Sequence, residues 1–230
     1  MEKMDKIFKN RECRFAIVFG IISVLVMSLV ERLFQPSYAI KSLIKILVMN
    51  TPILLHTRLF HRGYFDLIHL KRKKLSKTLV LAMAFAYIGI IVAFLLFQDM
   101  IDLSLIRDSL FEKEGLTREN FLFVFVYIII VNSFLEESFF RGYLSHVFIR
   151  HGYSLSGKIF SAFLFSIYHI GIVSGWFNIL IFVIMIIGLS LAGLFLQYVA
   201  EKEDTLSGSW MVHACANLAI NTIGTIMMLK

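Results

Sequence analysis

Apolar residues in this chain come in long unbroken runs rather than at amphipathic intervals. Phe15 to Val30, Ala39 to Leu55, Leu79 to Phe97, Phe121 to about Arg150, Ser154 to Val173, Trp176 to Val199 and Ser209 to Leu229 each approach or exceed the roughly 20 residues needed to cross a hydrocarbon core. The pattern predicts seven membrane-spanning helices. The second run is the most interrupted, with Lys41, Lys45, Asn50 and Pro52 inside it, and reads as tilted or partly interfacial. Thr117 is a candidate cap for the fourth, and Ser154 to Gly157 can start the fifth. In the sixth, Gly188, Ala192 and Gly193 offer a close contact with a neighbouring helix. No internal repeat, linker or low-complexity stretch divides the chain.

Composition fixes the class. Of 230 residues, 58% are hydrophobic and 14% aromatic, more than a soluble core of this size can bury, so the fold class is all-α, a polytopic transmembrane helical bundle. The net charge of +7 is no nucleic-acid footprint, because the basic residues sit in short segments flanking apolar spans. Five Lys or Arg fall within the first fourteen residues, and seven between His56 and Lys77, among them Lys71-Arg72-Lys73-Lys74. The loop from Gln98 to Asn120 has six acids against three Lys or Arg. The positive-inside rule therefore predicts a multi-pass protein of the cell membrane with a cytoplasmic N-terminus and an external acidic loop. Glu201 to Asp204 is a mild exception on the cytoplasmic side. Phe15 to Val30 is long for a signal-peptide core and is followed by Glu31-Arg32, so no cleavable signal is expected. Cys13 and Cys215 stand in unrelated contexts and suggest neither a disulfide nor a zinc cluster. The many Phe residues read as lipid-facing surface, and Trp176 and Trp210 as interface anchors. The chain divides into N-terminal helices with their basic loop, 1–115, and a core, 116–230.

Charge inside a span demands explanation, since it costs at least about 2.5 kcal/mol at the bilayer centre. The fourth span carries Glu136, Glu137 and Arg141. Adjacent residues on a helix point about 100° apart, so the two carboxylates face different ways. Glu137 and Arg141 are four residues apart and can neutralise each other as a structural pair. Glu136 is left without a local partner. His169 lies in the fifth span, and His213, Asn217 and Asn221 form one stripe on the seventh. At about 1.5 Å per residue, Glu136 lies about 21 Å from Arg150 and His169 about 16 Å from Lys158. By the same rise His213 and Asn217 lie about 10 and 16 Å beyond Leu206, which puts all three clusters in the middle or cytoplasmic half of the membrane. One shared chamber is the economical arrangement. Asn132 and Asn221 read as helix–helix contacts, Phe165 as a chamber wall and Cys215 as packing.

Such a chamber can do hydrolysis. A carboxylate in a low-dielectric site is a better base near neutral pH than in water, so Glu136 with His169 can hold and deprotonate a water. His213 and Asn217 can donate to a developing oxyanion. Alternatively, Glu136, His169 and His213 can bind Zn2+, with water in the fourth position; the spacing does not choose. No His-Glu-x-x-His, Gly-x-Ser-x-Gly or Gly-rich phosphate loop is present, and no pair of Asp residues lies within the spans.

At these residues the sequence resembles the CPBP family, the CAAX-processing and bacteriocin-processing intramembrane endopeptidases also called the Abi family. The family pattern is Glu-Glu-x-x-x-Arg, Phe-x-x-x-His and His-x-x-x-Asn/Asp on successive helices. Here it stands as Glu136-Glu137-Ser-Phe-Phe-Arg141, Phe165-Ser-Ile-Tyr-His169 and His213-Ala-Cys-Ala-Asn217, with Gly142 fitting after the Arg. The resemblance covers about Leu116 to Lys230. It implies that Glu136 activates water with His169, that His213 and Asn217 support the oxyanion, and that Glu137 and Arg141 are structural; it leaves open a metal or a metal-free glutamate mechanism. The expected function is an endopeptidase cutting a membrane-associated or lipidated, CAAX-like peptide from the cytoplasmic side, with the lipid bilayer and no nucleic acid as partner. The alternative is a bacteriocin self-immunity protein or membrane scaffold whose proteolytic site is not essential. A proton-relay transporter is a third class, which the lack of an inverted repeat argues against.

Overall fold

The computed structural model describes residues 2–71, 74–173 and 175–229, and no strand occurs among them. Arg72 and Lys73 of the basic run lie outside the described residues. Ten helices are used below: α1 (Glu2–Lys9), α2 (Arg11–Phe34), α3 (Tyr38–Phe60), α4 (Tyr64–Leu67), α5 (Lys77–Met100), α6 (Leu103–Glu114), α7 (Phe121–Arg150), α8 (Ser154–Val173), α9 (Ile179–Lys202) and α10 (Leu206–Leu229). Seven of them (α2, α3, α5 and α7 to α10) are long and apolar enough to cross a membrane, as the apolar runs predicted.

Side-chain caps set several starts. Asn10 Oδ1 accepts from Cys13 N at 3.0 Å, Ser76 Oγ from Leu79 N at 3.0 Å, and Asn178 Oδ1 from Ile181 N at 3.0 Å; each satisfies a donor that a helix start leaves orphaned. Before α7, Thr117 N donates to Asn120 Oδ1 and Asn120 N to Thr117 Oγ1. The Asn178 cap starts the sixth span three residues later than its apolar run, leaving Trp176 in a loop where its Nε1 donates to Ser109 at 3.2 Å.

Helix α7 is the axis of the bundle. It packs against α3, α8 and α10, and every residue from Leu135 to Ser145 is buried, as for a helix enclosed on all sides. This enclosure keeps Glu136, Glu137 and Arg141 off the lipid. Two stretches of α7, Ile128–Asn132 and Ser138–Ser145, are wound as π-helix, a distortion common at functional sites. Helix α8 lies between α2, α7 and α9, and Ser161 Oγ donates to the Phe140 carbonyl of α7 at 2.7 Å.

Three expectations change. The second span is a full helix, and its lysines point inward: Lys41 and Lys45 are 5% and 6% exposed. Trp210 is no interface anchor, for its Nε1 donates to the Ile130 carbonyl and to Ser133 Oγ of α7, both at 3.1 Å. Of the small residues in α9 only Gly193 makes the close contact, its Cβ direction meeting Ala162 at 3.0 Å, whereas nothing lies within 4 Å of Gly188.

The connections gather at two ends. At the basic end Glu12 binds His56, Arg62 and His151. There Asp204 pairs with His69 at 3.0 Å and Lys71 at 2.8 Å, and Glu201 with Lys158 at 2.6 Å. The acidic 201–204 turn is thus an internal counter-charge to the basic loop, and Lys71 with His69 holds the Asp204 carboxyl below its ordinary range. The basic segment opens inside the protein: Leu67 and Ile68 are fully buried. A Cβ on Gly142 would stand 2.7 Å from the Ile68 carbonyl oxygen and 2.9 Å from its Cα.

Because backbone cannot swing aside as a side-chain tip can, Gly142→Ala should destabilise the protein by about 1–3 kcal/mol. Gly188→Ala, in open space, should lose nothing. Thermal unfolding of both variants in detergent checks the contrast.

Candidate active site

The site is built where α3, α7, α8 and α10 face one another. Glu136 is 2% exposed, and its two oxygens have different company. Oε1 accepts hydrogen bonds from Lys45 Nζ of α3 and from Asn132 Nδ2, the latter at 3.1 Å, while Lys45 also donates to Asn132 Oδ1. The Lys45 ammonium stands 4.9 Å from the Tyr168 ring centroid. Oε2 has no hydrogen-bond partner and lies 3.6 Å from His213 Nε2 and 3.9 Å from His169 Nε2. Those gaps are too long for direct hydrogen bonds and the right size for a shared water.

Both imidazoles are oriented from behind. His169 Nδ1 lies 2.7 Å from the Phe165 carbonyl oxygen, which can only accept, so Nδ1 carries the proton and Nε2 presents its lone pair. His213 Nδ1 lies 2.9 Å from Glu137 Oε1, and the same logic protonates Nδ1 there. Glu137 also pairs with Arg141 at 3.1 Å, both side chains being inaccessible to solvent. The guanidinium carbon sits 4.1 Å from the Phe165 ring centroid, a cation–π contact suited to a weakly hydrated cation. Phe165 therefore supports both Arg141 and His169.

Asn221 makes the helix–helix contact expected of it, and Asn217 makes a second one beside it. Asn217 Nδ2 donates to the Ile128 carbonyl at 3.0 Å and Asn221 Nδ2 to that of Phe125 at 3.1 Å. These carbonyls lie in and just before the first widened turn of α7. Both Asn residues also line the chamber.

Glu136, His169 and Asn217 border a cavity of about 400 Å³ whose other walls are mostly apolar. It runs away from the basic end. Ile106, Leu110, Glu114, Trp176 and Met227, all at the acidic-loop end, line it, and no described residue of 56–77 does. The cavity is thus reached from the acidic-loop end of the bundle rather than from the basic end. Towards the basic end the site is sealed by Phe139, Phe140, Tyr143 and Leu144, each 0% exposed.

Lys45 weighs against the zinc reading. Among the described residues no three His, Cys, Asp or Glu side chains group as a ligand set. The carboxylate that would anchor the ion also carries Lys45, whose charge opposes a second cation at the same group. The residues that sequence reasoning missed are Lys45 and Asn132. The signal was present, since Lys41 and Lys45 are one turn apart in an otherwise apolar span, and intramembrane charges need partners.

Fold and site together define a helical membrane protein with a carboxylate- and imidazole-lined chamber that is closed towards the basic end. Residues 118–219 match the family model described as Type II CAAX prenyl endopeptidase Rce1-like. The matched segment contains Glu136, Glu137, Arg141, His169, His213 and Asn217; Lys45 falls outside it. No curated protein and no solved structure matches the chain.

Removing one member of a buried ion pair costs about 3–5 kcal/mol because the other charge is left alone. Lys45→Met should destabilise the protein by that order, and adding Glu136→Gln should restore most of the loss. A double-mutant cycle on thermal unfolding in detergent measures the coupling.

Proposed function

We propose that the protein is an intramembrane endopeptidase of CAAX type, hydrolysing a peptide bond in a membrane-associated or lipidated substrate without a metal. The observation that carries this reading is the unpartnered, buried Oε2 of Glu136, aimed at two imidazole Nε2 atoms at the inner end of a cavity. A water bound there donates one hydrogen to Glu136 Oε2 and the other to His169 Nε2, leaving an oxygen lone pair free. That oxygen attacks the scissile carbonyl carbon while Glu136 takes the proton. The negative charge formed on the carbonyl oxygen is met by His213 and Asn217. The proton that His213 lends to that oxygen reaches its Nε2 from Glu136 Oε2, 3.6 Å away, which has just taken it from the water. As the C–N bond breaks, that proton returns through Glu136 to the amine, and the products are a carboxylic acid and a free amine.

Glu137 and Arg141 are positioning residues in this scheme. Glu137 holds His213 in its tautomer, and Arg141 balances the charge of Glu137. The apolar walls of the cavity suit a substrate that arrives with a hydrocarbon chain or an apolar side-chain run. The loop charges favour a cytoplasmic N-terminus.

Reconstituted in liposomes with a membrane-inserted peptide library, the protein should release cut fragments. Glu136→Gln and His169→Ala should each slow release by about 10²–10⁴-fold, the range expected for loss of a general base. Retained cleavage in Glu136→Gln would overturn the mechanism, and an unchanged cellular phenotype would favour the immunity or scaffold role. A chelator such as 1,10-phenanthroline should leave the rate unaltered; inhibition reversed by added zinc would sink the metal-free version.

A further inference from the structure

The direction of the chamber bears on where substrate comes from. Its inner end is Glu136, and from there its lining runs to residues at the acidic-loop end. Helix α6 roofs it, with Leu103, Ile106 and Leu110 facing in. A second cavity of about 400 Å³ continues outward, lined by Arg32, Gln35 and Gly175. The two cavities share Glu31, Lys41 and Glu114 as a common wall. Lys41 bridges that wall, binding Glu31 of α2 at 2.7 Å and Glu114 of α6 at 2.5 Å. The opposite end has no such route. Four fully buried side chains of α7 close it, and the 67–68 segment is seated against Gly142.

Charge tells which end is which. Five Lys or Arg in the first fourteen residues and seven in 56–77 mark the sealed end, whereas the loop roofing the open end has six acids and three Lys or Arg. Such an imbalance in short loops holds the basic end in the cytoplasm.

We infer that substrate reaches Glu136 from the extracytoplasmic side, beneath α6 and past the Glu31–Lys41–Glu114 bridge. The substrate class is thus a membrane peptide that enters the chamber from the outer face, not a lipidated tail presented from the cytoplasm. This rests on the hydrolytic reading of Glu136 for its substrate, though the route can be measured without cleavage. The ion bridge has a clear function in this scheme. It joins the roof helix to α2 and α3 at the wall the two cavities share, where an entering peptide must pass.

The test uses the full chain in intact cells, with Cys13 and Cys215 replaced by Ser and single cysteines added back. Asp99→Cys should react with a membrane-impermeant maleimide, and Leu75→Cys only after permeabilisation; the reverse pattern overturns the sidedness. Ile223→Cys, on the chamber wall, should react with a small charged methanethiosulfonate added outside. Reaction only from the inner face of inverted vesicles overturns the route. In liposomes, a bulky maleimide on Arg32→Cys should reduce peptide cleavage at least tenfold, while the same adduct on Leu75→Cys leaves it unchanged. Full activity of the Arg32→Cys adduct also overturns the route. If labelling follows the expected pattern but no peptide is cut even by the unmodified protein, the hydrolytic reading fails and the access route stands.

Discussion

A single buried ion pair, Lys45 with Glu136, organises the polar centre of this membrane bundle. Neither charge is tolerable alone at this depth, and each helix carrying one is held in rotation and register by the other. The pair joins α3 to α7, so it also joins the N-terminal helices to the segment that carries the family motifs. Its geometry divides the carboxylate. Because Oε1 is occupied by Lys45 and Asn132, Oε2 is turned towards the two imidazoles with nothing else to bond. An apolar pair at these positions would pack at least as well. It would leave no oriented acceptor.

The distortions of α7 follow from that arrangement. A regular helix at 3.6 residues per turn satisfies its carbonyls internally, but a widened turn loosens them. The side chains of α10 take up this freed capacity: Trp210, Asn217 and Asn221 all donate to carbonyls between Phe125 and Ile130. In a hydrocarbon setting every such group must be paired within the protein. The polar stripe of α10 is therefore mainly a docking strip for a deformed helix, and His213 is the member that turns to the carboxylates.

The sequence made the seven spans legible, because bilayer thickness and hydropathy set a length that apolar runs either meet or do not. It also showed the acid, the two imidazoles and the amide as one chamber, since polar groups at membrane depth have few places to go. Lys45 was harder to read. A lysine near the start of a span commonly snorkels to the headgroups, and only the position of α7 shows that this one turns inward. The direction of the chamber was lost for a related reason. Counting rise from the basic end places Glu136 at a depth, but depth along one helix does not say which end of the bundle is packed shut. That depends on Phe139, Phe140, Tyr143 and Leu144 being enclosed, and on Ile68 lying against Gly142. Trp210 was misread because position near a span end suggests an interface anchor, whereas its indole nitrogen found an acceptor on α7.

Charge balance explains why two further charges are kept beside a working carboxylate. Lys45 with Glu136 and Arg141 with Glu137 form two neutral pairs in a medium that tolerates no excess. In the proposed hydrolysis a proton moves to Glu136 and negative charge forms on the substrate oxygen, so Lys45 briefly lacks its counter-ion just as the oxyanion forms nearby. The chamber then contains one freed cation and one new anion, and its net charge is unchanged throughout. His213 links the two pairs, with Nδ1 on Glu137 and Nε2 facing Glu136. Its Nδ1–H is therefore held from behind while its Nε2 stays turned towards the site. In this reading Glu137 and Arg141 act at one remove from substrate: they fix the orientation of an imidazole deep in a membrane protein without leaving charge unpaired in the resting state.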